Sequence, residues 1–523
     1  MTGRPNKSPF IALRVLSYLM IAYGAFWVSS ILWSDGGVAY LLGEYTGMFM
    51  RQGMWVLGLG IVLGSVLMMR PQARHPFHFL VLAVALVPFV DGARQVYGGS
   101  MQHRAETKRQ AELEKNSPAI VGVPISGAVE GWTELRLVRA GRNGFVAAWL
   151  DPDRRIHVQR VDSTASTSWT ADGTNIGGRV STPYARGDLA VVSDGFGGII
   201  LFWKDDGEGI GVRAQRVDAG GELVWGPDGI QPMPASEFAI TSDGGGGVVV
   251  ITRAASDDAE SGAIRVQRLS ALGNPVWPGQ GVRVGSTGSP SGTLDIAADG
   301  QAGFVATYGR HAQHLDDNGV ISWPPEGVAA CDPARILYGR AVDGEGGVIV
   351  TRLCASDDSL YVQRVDARGT RVFDRDGVLL RTQNGAWLRS ECTSDGDHGA
   401  IVWWSDSRGG YYAQRVDASG SLKWIVDGVP VCSDASLRQV IGDEVGGLIV
   451  VSAWGSNVLA QRFGNTGEPR WGSHGVRAAG RTMCALPTGE GGCYLVWVDS
   501  SQGRLVAQRV DANGVAQWIS PSS

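Results

Sequence analysis

Lysine is scarce in this chain: it occurs five times among 523 residues, so most of the positive charge is arginine. Cysteine is almost as rare, with six residues, and no two of them are adjacent. EF-hand, P-loop, HExxH and G-x-S-x-G patterns are all missing, which removes the commonest calcium, nucleotide, zinc-protease and serine-hydrolase motifs. Glycine, in contrast, is abundant at 75 residues, and the hydrophobic content of 44% excludes a disordered chain.

The two parts of the chain differ in charge. Residues 1–117 carry 11 Lys and Arg against 6 Asp and Glu, whereas residues 118–523 carry 35 against 45, a net charge of −10. The longer part has no basic stripe, and nucleic-acid binding depends on clustered positive charge. We therefore expect no nucleic-acid partner.

Three apolar segments predict a membrane anchor over residues 1–99. The segments 11–33 and 48–69 are long enough to cross a bilayer, which takes about 20 residues. The third, 77–97, has a shorter apolar core that contains Pro88, so it spans only if it extends to Tyr97. We expect three helices in contact with membrane lipid, followed by a polar helical stalk at 100–117.

The placement of basic residues predicts how this anchor is oriented. The N-terminus and the segment 70–76 carry Arg and Lys, whereas 34–46 carries neither. Positive loops stay in the cytoplasm, so three spans place residues 118–523 outside it, and two spans would leave them inside. We favour three spans, which predicts a multi-pass protein of a bacterial inner (cytoplasmic) membrane with a periplasmic domain.

One pattern recurs eight times between residues 118 and 523. A glutamine returns at steps of 46 to 56 residues, and an aromatic residue follows each glutamine by ten positions. The glutamines are Gln159, Gln215, Gln267, Gln313, Gln363, Gln414, Gln461 and Gln508. The aromatic residues are Trp169, Trp225, Trp277, Trp323, Phe373, Trp424, Trp471 and Trp518. A glycine stands four positions before and four after the aromatic residue, except at Ala165 and Ser522.

Each copy predicts four short strands. Upstream of the glutamine, segments such as 240–251 combine two apolar runs around a Gly/Asp turn, which is typical of a β-hairpin. Tandem repeats of four strands in about 50 residues predict propeller blades. We therefore predict an all-β, eight-bladed β-propeller over 118–523. The last copy lacks its fourth strand, and the segment 119–126 resembles it, so we expect this N-terminal strand to close the ring.

The segment 508–518 (QRVDANGVAQW) resembles the tryptophan docking motif of quinoprotein-like eight-bladed propellers, a family that includes the outer-membrane assembly lipoprotein BamB. Gly514 follows Asp511 by three positions, one fewer than in that motif. The pyrroloquinoline quinone dehydrogenases among these propellers imply adjacent cysteines and a calcium-bound cofactor. This chain has no adjacent cysteines. The resemblance therefore implies the architecture and gives little support to redox chemistry.

Residues suited to chemistry do not form a recognisable constellation. His311 and His314 are the only closely spaced histidines, and residues three apart on a strand point to opposite faces. Acidic pairs such as Asp316–Asp317 fall in predicted turns, where solvated aspartates are favoured over calcium ligands. Cys484 and Cys493 flank a predicted hairpin turn and could form a disulfide; buried free thiols are the equal alternative.

The absence of such a constellation favours a protein-binding or scaffold module over an enzyme. We predict no catalytic residues, no metal and no cofactor, and we expect a protein partner in the membrane or envelope. A quinoprotein-like or calcium-dependent enzyme, and an accessory subunit of a larger membrane complex, are the alternatives.

Overall fold

A computed structural model describes Ser117 and residues 119–518 of the chain. The segments that it leaves undescribed within this range are 129–133, 142–143, 171, 182–187, 206–210, 234, 236, 255–261, 287–293, 326, 330–335, 354–358, 375, 382–389, 406–407, 433–436, 455–456 and 500. The chain divides into two units, Met1–Lys115 and Asn116–Ser523. The predicted membrane helices and nearly all of the predicted stalk therefore lie outside the described residues. In the part that is described, no helix is long and apolar enough to cross a membrane.

The described part of the second unit forms eight sheets that follow one another along the chain, antiparallel except for one parallel strand pair in blade 7. We number the strands in chain order. Blade 1 contains β3 (Leu135–Arg139), β4 (Gly144–Leu150), β5 (Arg155–Asp162) and β6 (Thr174–Arg179). Blade 2 contains β7 (Leu189–Ser193), β8 (Ile199–Lys204) and β9 (Val212–Val217). Blade 3 contains β10 (Glu237–Ser242), β11 (Val248–Arg253), β12 (Ala263–Leu269) and β13 (Val282–Ser286). Blade 4 contains β14 (Leu294–Ala298), β15 (Phe304–Tyr308), β16 (His311–Leu315) and β17 (Val328–Ala329).

The second half of the ring repeats this order. Blade 5 contains β18 (Ile336–Val342), β19 (Val348–Leu353), β20 (Leu360–Val365) and β21 (Val378–Arg381). Blade 6 contains β22 (Ser390–Ser394), β23 (Ala400–Ser405), β24 (Tyr411–Val416) and β25 (Val429–Cys432). Blade 7 contains β26 (Leu437–Gly442), β27 (Leu448–Trp454), β28 (Asn457–Phe463) and β29 (Val476–Ala479). Blade 8 contains β30 (Arg481–Pro487), β31 (Cys493–Asp499) and β32 (Arg504–Val510). The N-terminal strands are β1 (Ala119–Ile120) and β2 (Val123–Ala128).

Alternate side chains of each second strand enter two different cores, which makes the blades stack into a ring. In β11, Val248 and Val250 enter the core shared with blade 2, and Val249 and Ile251 enter the core shared with blade 4. Because successive residues of a strand point to opposite faces, a continuous apolar strand is buried on both sides. Eight such cores are present, one for each pair of neighbouring blades, including blades 8 and 1. The predicted eight-bladed propeller is confirmed.

Blade 2 departs from the four-stranded pattern. Its fourth strand is reduced to a single bridge, in which Ala214 and Ile230 exchange two backbone hydrogen bonds of 2.9 and 2.8 Å. Pro232 follows two residues later and cannot donate to a ladder. Met233 and Ala235 nevertheless pack into the core between blades 2 and 3, so the edge of this blade is covered without being paired.

The predicted closure of the last blade by an N-terminal strand is confirmed, because β2 is the fourth strand of blade 8, antiparallel to β32. The expected single strand over 119–126 is instead divided into two. The preceding β1 pairs in parallel with β29 and gives blade 7 a fifth strand. Gly122 joins the two strands where the chain crosses Trp497, and a Cβ atom there would lie 2.8 Å from the indole ring. The crossing therefore requires glycine.

We predict that the closing strand is part of the core and not an accessory tail. Ile125 is 1% exposed and packs between blades 8 and 1, whereas Val121, four residues earlier, is 65% exposed. Ile125→Ala should lower the free energy of unfolding by about 2–5 kcal/mol, and Val121→Ala should change it by less than about 0.5 kcal/mol. Chemical denaturation of both variants measures this. Equal effects would mean that the ring closes without this strand.

Candidate functional site

The two faces of the ring differ in how much their strand connections vary in length. We call the face with the first-to-second and third-to-fourth strand turns the turn face; in blade 3 these turns are 243–247 and 270–274. The opposite face, with the remaining connections, is the loop face. The first turn has five residues in seven blades and four in blade 1, whereas second-to-third strand connections run from two residues (309–310) to nine (254–262).

The repeated glutamine holds the third-to-fourth strand turn within its own blade. In blade 2 the side-chain Oε1 of Gln215 accepts hydrogen bonds from the backbone N–H of Arg216 (2.9 Å) and of Trp225 (3.0 Å). Its Nε2 donates to the carbonyl of Gly226 at 2.6 Å. Seven of the eight glutamines are buried, and Gln461 is half-buried. A buried amide with both ends bonded fixes where the aromatic residue sits.

The aromatic residue links each blade to the next. Trp225 is 6% exposed, packs between blades 2 and 3, and donates from Nε1 to the carbonyl of Ala271 in the blade 3 turn at 3.0 Å. The same link closes the ring, where Trp518 of blade 8 donates to the carbonyl of Ser163 in blade 1 at 2.8 Å. Seven of the eight rings lie in cores that two blades share, and Trp169 packs against the core between blades 1 and 2. The other links join Trp169 to Ala219, Trp277 to Asp317, Trp323 to Ala367, Trp424 to Asn465 and Trp471 to Ala512.

In five blades the arginine after the glutamine adds a second link, from Arg160, Arg216, Arg268, Arg364 or Arg462. Arg216 donates from Nη1 to the carbonyl of Ala271 at 3.1 Å, the carbonyl that also accepts from Trp225. In blade 5 the aromatic residue is Phe373, whose side chain has no N–H group, and there Arg364 alone reaches the equivalent carbonyl of Ala418, at 3.3 Å. The arginine therefore preserves the link where the indole is missing.

A buried aspartate in the first turn holds this arginine in place. Oδ1 of Asp194 accepts from the backbone N–H groups of Phe196 and Gly198, both at 2.8 Å, and Oδ2 accepts from Arg216 at 2.9 Å. The same arrangement recurs in blades 2 to 7, and charge-assisted bonds of this kind are among the stronger ones. The pairs are Asp194–Arg216, Asp243–Arg268, Asp299–His314, Asp343–Arg364, Asp395–Arg415 and Asp443–Arg462.

The glycine four positions before each aromatic residue lies against the ring of the preceding blade. Gly221 has φ +92°, and a Cβ atom on it would stand 2.8 Å from Cδ1 of Trp169. Both the left-handed backbone and the close approach therefore favour glycine. The exception, Ala165, adopts φ 69° and packs in the core that contains Trp518.

We predict that contact with the indole ring, more than backbone strain, makes Gly221 necessary. Gly226 has a similar φ of +81°, but a Cβ atom on it would meet no other atom within 4 Å, so it is the matched control. Gly226→Ala should cost about 1 kcal/mol through φ alone. Gly221→Ala should cost at least about 1 kcal/mol more, because Trp169 must move. Thermal and urea unfolding of the two variants give the difference, and equal losses would refute this explanation.

The blades on either side of the ring closure lack the buried aspartate. Ala140 and Thr488 occupy its position in blades 1 and 8, as the turn hydrogen bonds to Gly144 and Gly492 show. A different link spans this region: Arg139 of blade 1 donates to the Glu444 carboxylate of blade 7 at 2.5 Å and to the Pro487 carbonyl of blade 8 at 3.0 Å. One arginine thus connects three blades at the place where the buried aspartate of the repeat is missing.

Blade 4 has a histidine in place of the arginine. Nε2 of His314 lies 2.7 Å from Oδ2 of Asp299, and its ring lies 5.9 Å from that of Trp323. Burial would raise the pKa of Asp299, but hydrogen bonds from His314 and from the N–H groups of Gln301 and Gly303 outweigh it and hold the pKa below its usual value. His311 and His314 stand opposite Tyr308 and Val305, at separate rungs of the ladder.

We predict a pH-dependent contribution from His314. Because the folded-state pKa of Asp299 is depressed, its stabilising contribution is present above the ordinary aspartate pKa and is lost as the pH falls through the folded value. His314→Ala should therefore lower the free energy of unfolding by about 1–3 kcal/mol at neutral pH, and this deficit should shrink below about pH 4. His314→Arg, which restores the residue of the other blades, should not show the deficit.

Urea denaturation at several pH values measures both variants. A deficit in His314→Ala that does not shrink below about pH 4 would contradict the role assigned to Asp299.

Cys484 and Cys493, for which a disulfide and free thiols were equal alternatives, are not brought together. Cys484 stands opposite Val496 and Cys493 opposite Pro487, so they do not share a rung. They also face different cores: Cys493 packs between blades 7 and 8, and Cys484 packs against the core between blades 8 and 1. Both are free thiols. Burial raises the pKa of Cys484 to about 11 and also raises that of Cys493.

One charged pair lies outside the repeat, on the innermost strands of blades 4 and 5. Burial raises the pKa of Asp295, against the opposing charge of Arg340, and burial lowers the pKa of Arg340. Arg340 donates weakly to the carbonyl of Gly309 at 3.5 Å, and its Nε finds no partner among the described residues. Within those same residues, no group of three or more His, Cys, Asp or Glu side chains could hold a metal ion.

Large apolar side chains are exposed on the turn face. Phe196 (65%) and Val445 (48%) stand in first turns, and Leu272 (72%), Val320 (59%) and Val515 (55%) stand in third-to-fourth strand turns. Turn positions are usually occupied by Gly, Asn, Asp and Ser. These side chains contribute nothing to the inter-blade cores, and no motif in the sequence marks them.

No protein-family model matches the sequence, and no curated protein is significantly similar to it. Among solved structures, the chain is similar to the BP39L lectin from Burkholderia pseudomallei, with 13% identity, 74% of this chain and 99% of the lectin covered, and a TM-score of 0.40. The WD40 domain of coronin from Toxoplasma gondii gives 11% identity, 75% and 87% coverage and a TM-score of 0.36. Regucalcin from Agrobacterium tumefaciens has 12% identity, with 55% of this chain and 95% of regucalcin covered and a TM-score of 0.27. The fold is assigned from the sheets and cores described above.

Proposed function

We propose that this chain is a membrane-anchored, extracytoplasmic propeller that binds other proteins as a scaffold module. The supporting observation is the turn face: its repeated polar groups bond to one another, while large apolar side chains between them remain exposed. A contiguous exposed apolar patch with polar residues around it is a common mark of a protein-interaction site.

The distribution of charged groups supports binding over catalysis. The buried aspartates and arginines recur at the same turn positions from blade to blade, where each bonds to a backbone group and to the other. In a repeat protein, a catalytic site needs side chains that are not simply repeated in the other blades. Their polar atoms must also be available to a substrate. These residues have a structural role instead. Membrane attachment rests on the apolar segments within residues 1–99.

The proposal predicts that a protein, and neither quinone nor calcium, accompanies the chain. Cells that express the full chain would be cross-linked and the chain purified from their membranes; a partner protein in near-stoichiometric amount is expected. Absorption spectroscopy and elemental analysis of material purified without cross-linking test the alternative. Bound quinone or calcium, with no partner protein, would favour the enzyme and overturn the scaffold.

The location of the propeller is tested separately. Asp153 lies on the loop face and its side chain is 62% exposed, so Asp153→Cys provides a labelling site, whereas Cys392 and Cys493 are buried. A membrane-impermeant maleimide should label this variant from outside the cytoplasm. Labelling only in inverted vesicles would place the propeller in the cytoplasm and leave a two-helix anchor.

A further inference from the structure

The third-to-fourth strand turn of blade 3 differs in chemistry from its equivalents. Residues 270–277 (SALGNPVW) contain no charged residue, whereas the corresponding eight residues of every other blade contain at least one. Ser270 replaces the usual aspartate and accepts one backbone hydrogen bond, from Asn274 at 3.2 Å, whereas Asp218 in blade 2 accepts two. The turn thus has weaker support than its neighbours and carries the most exposed of these apolar turn side chains, Leu272.

The neighbouring turn of blade 2 extends this apolar surface. Phe196 occupies a position held in blades 3 to 6 by Gly245, Gln301, Glu345 and Asp397. Its ring lies over Gly246 of blade 3: a Cβ atom on Gly246 would be 3.3 Å from Cε2 of Phe196 and 3.3 Å from Cβ of Ala271. Residues from two blades therefore meet over this glycine. We call the surface formed by Phe196, Ala271, Leu272, Pro275 and Val276 the blade 3 patch.

The exposed carboxylates beside the blade 3 patch are Glu222 and Asp317, in the turns of blades 2 and 4, next to the links that Trp225 and Trp277 make. Basic groups also lie nearby, and each of them is engaged in the ring. Arg216 and Arg268 are paired with Asp194 and Asp243, and Arg160, which lies beside Gly197, donates to the carbonyl of Ala219 at 3.1 Å. An apolar centre with acidic sides is complementary to a ligand that has an apolar anchor between basic groups.

We propose that the blade 3 patch is the docking surface for a segment of a partner protein that presents an apolar side chain flanked by lysine or arginine. This rests on the proposed function and names the partner chemistry for it. The apolar anchor buries against Phe196 and Leu272, and the flanking cations face Glu222 and Asp317. A second copy of the chain fits less well, because a symmetric contact would bring these carboxylates of both copies together.

The test uses the purified full-length chain and peptides selected on it from a random phage-displayed library. The selected peptides should carry an apolar residue flanked by Lys or Arg. Leu272→Asn should weaken their binding at least tenfold, as expected for removal of a central anchor. Ile425→Asn is the matched control, since Ile425 is 62% exposed but lies in blade 6; it should leave binding unchanged. Both positions are exposed, so unchanged thermal unfolding confirms that the variants fold.

A second pair of variants tests the charges. Glu222→Gln combined with Asp317→Asn should weaken binding several-fold and reduce its dependence on salt, whereas Asp153→Asn on the loop face should do neither. Phe196→Ser should weaken binding without changing the salt dependence.

The proposal is overturned if no peptide is enriched, if the enriched peptides are neutral or acidic, or if Leu272→Asn binds as tightly as the unmodified chain. A dimer in analytical ultracentrifugation that Leu272→Asn dissociates would assign the patch to a second copy. If the peptides bind elsewhere, or if Leu272→Asn retains a co-purified partner, the blade 3 patch is ruled out as the docking surface while the proposed scaffold function stands. Bound quinone or calcium without any partner would remove the function itself.

Discussion

The link from each aromatic residue to the next blade is the interaction on which this ring depends. A blade is a small twisted sheet that cannot bury both of its apolar faces alone, so its stability comes from its two neighbours. The indole fills the interface and donates to a turn carbonyl of the next blade, and that turn brings its glycine against the ring. An indole buries about 150–250 Å², and its hydrogen bond adds about 1 kcal/mol. Repetition around a closed ring makes every blade a support for the next.

Closure of the ring shows what happens where this repeat is interrupted. Ala165 replaces the glycine and keeps the left-handed backbone, and blades 1 and 8 have lost the buried aspartate. These departures coincide with a gain of other contacts. The N-terminal segment pairs with both blade 7 and blade 8, and Arg139 bonds to groups of those same two blades. Around the interface that joins its two ends, the chain thus lacks the repeated contacts of the buried aspartate and makes several unrelated contacts instead.

Fixed spacing made the architecture predictable from sequence, because the turn from Gln to Trp has the same length in every blade. The aspartate–arginine pairs escaped prediction since the variable second-to-third strand connection separates the two residues by 22 positions in blade 2 and by 15 in blade 4. The two-blade path of residues 119–128 was missed because β1 has only two residues and carries no pattern of its own. The disulfide expectation came from position along the chain, whereas the ladder register and the opposite faces of the sheet separate the thiols.

The same repeat indicates where function can reside. Structural contacts restrict the residue type at the positions that hold the blades together. The glutamine bonds to its turn, the aspartate bonds to its turn and to the arginine, and the glycine leaves room for the indole above it. A change at such a position removes or replaces one of these contacts, as it does at Ala165, Phe373 and His314, so few residue types fit there and adaptation to a ligand is restricted. The tips of the turns have no such role, and Phe196 and Leu272 occupy two of them. A side chain at such a tip can change without loss of an inter-blade contact, so it can be adapted to a ligand. The proposed docking surface uses Phe196 and Leu272 for this reason, and in that proposal the acidic residues on either side select the molecules that bind.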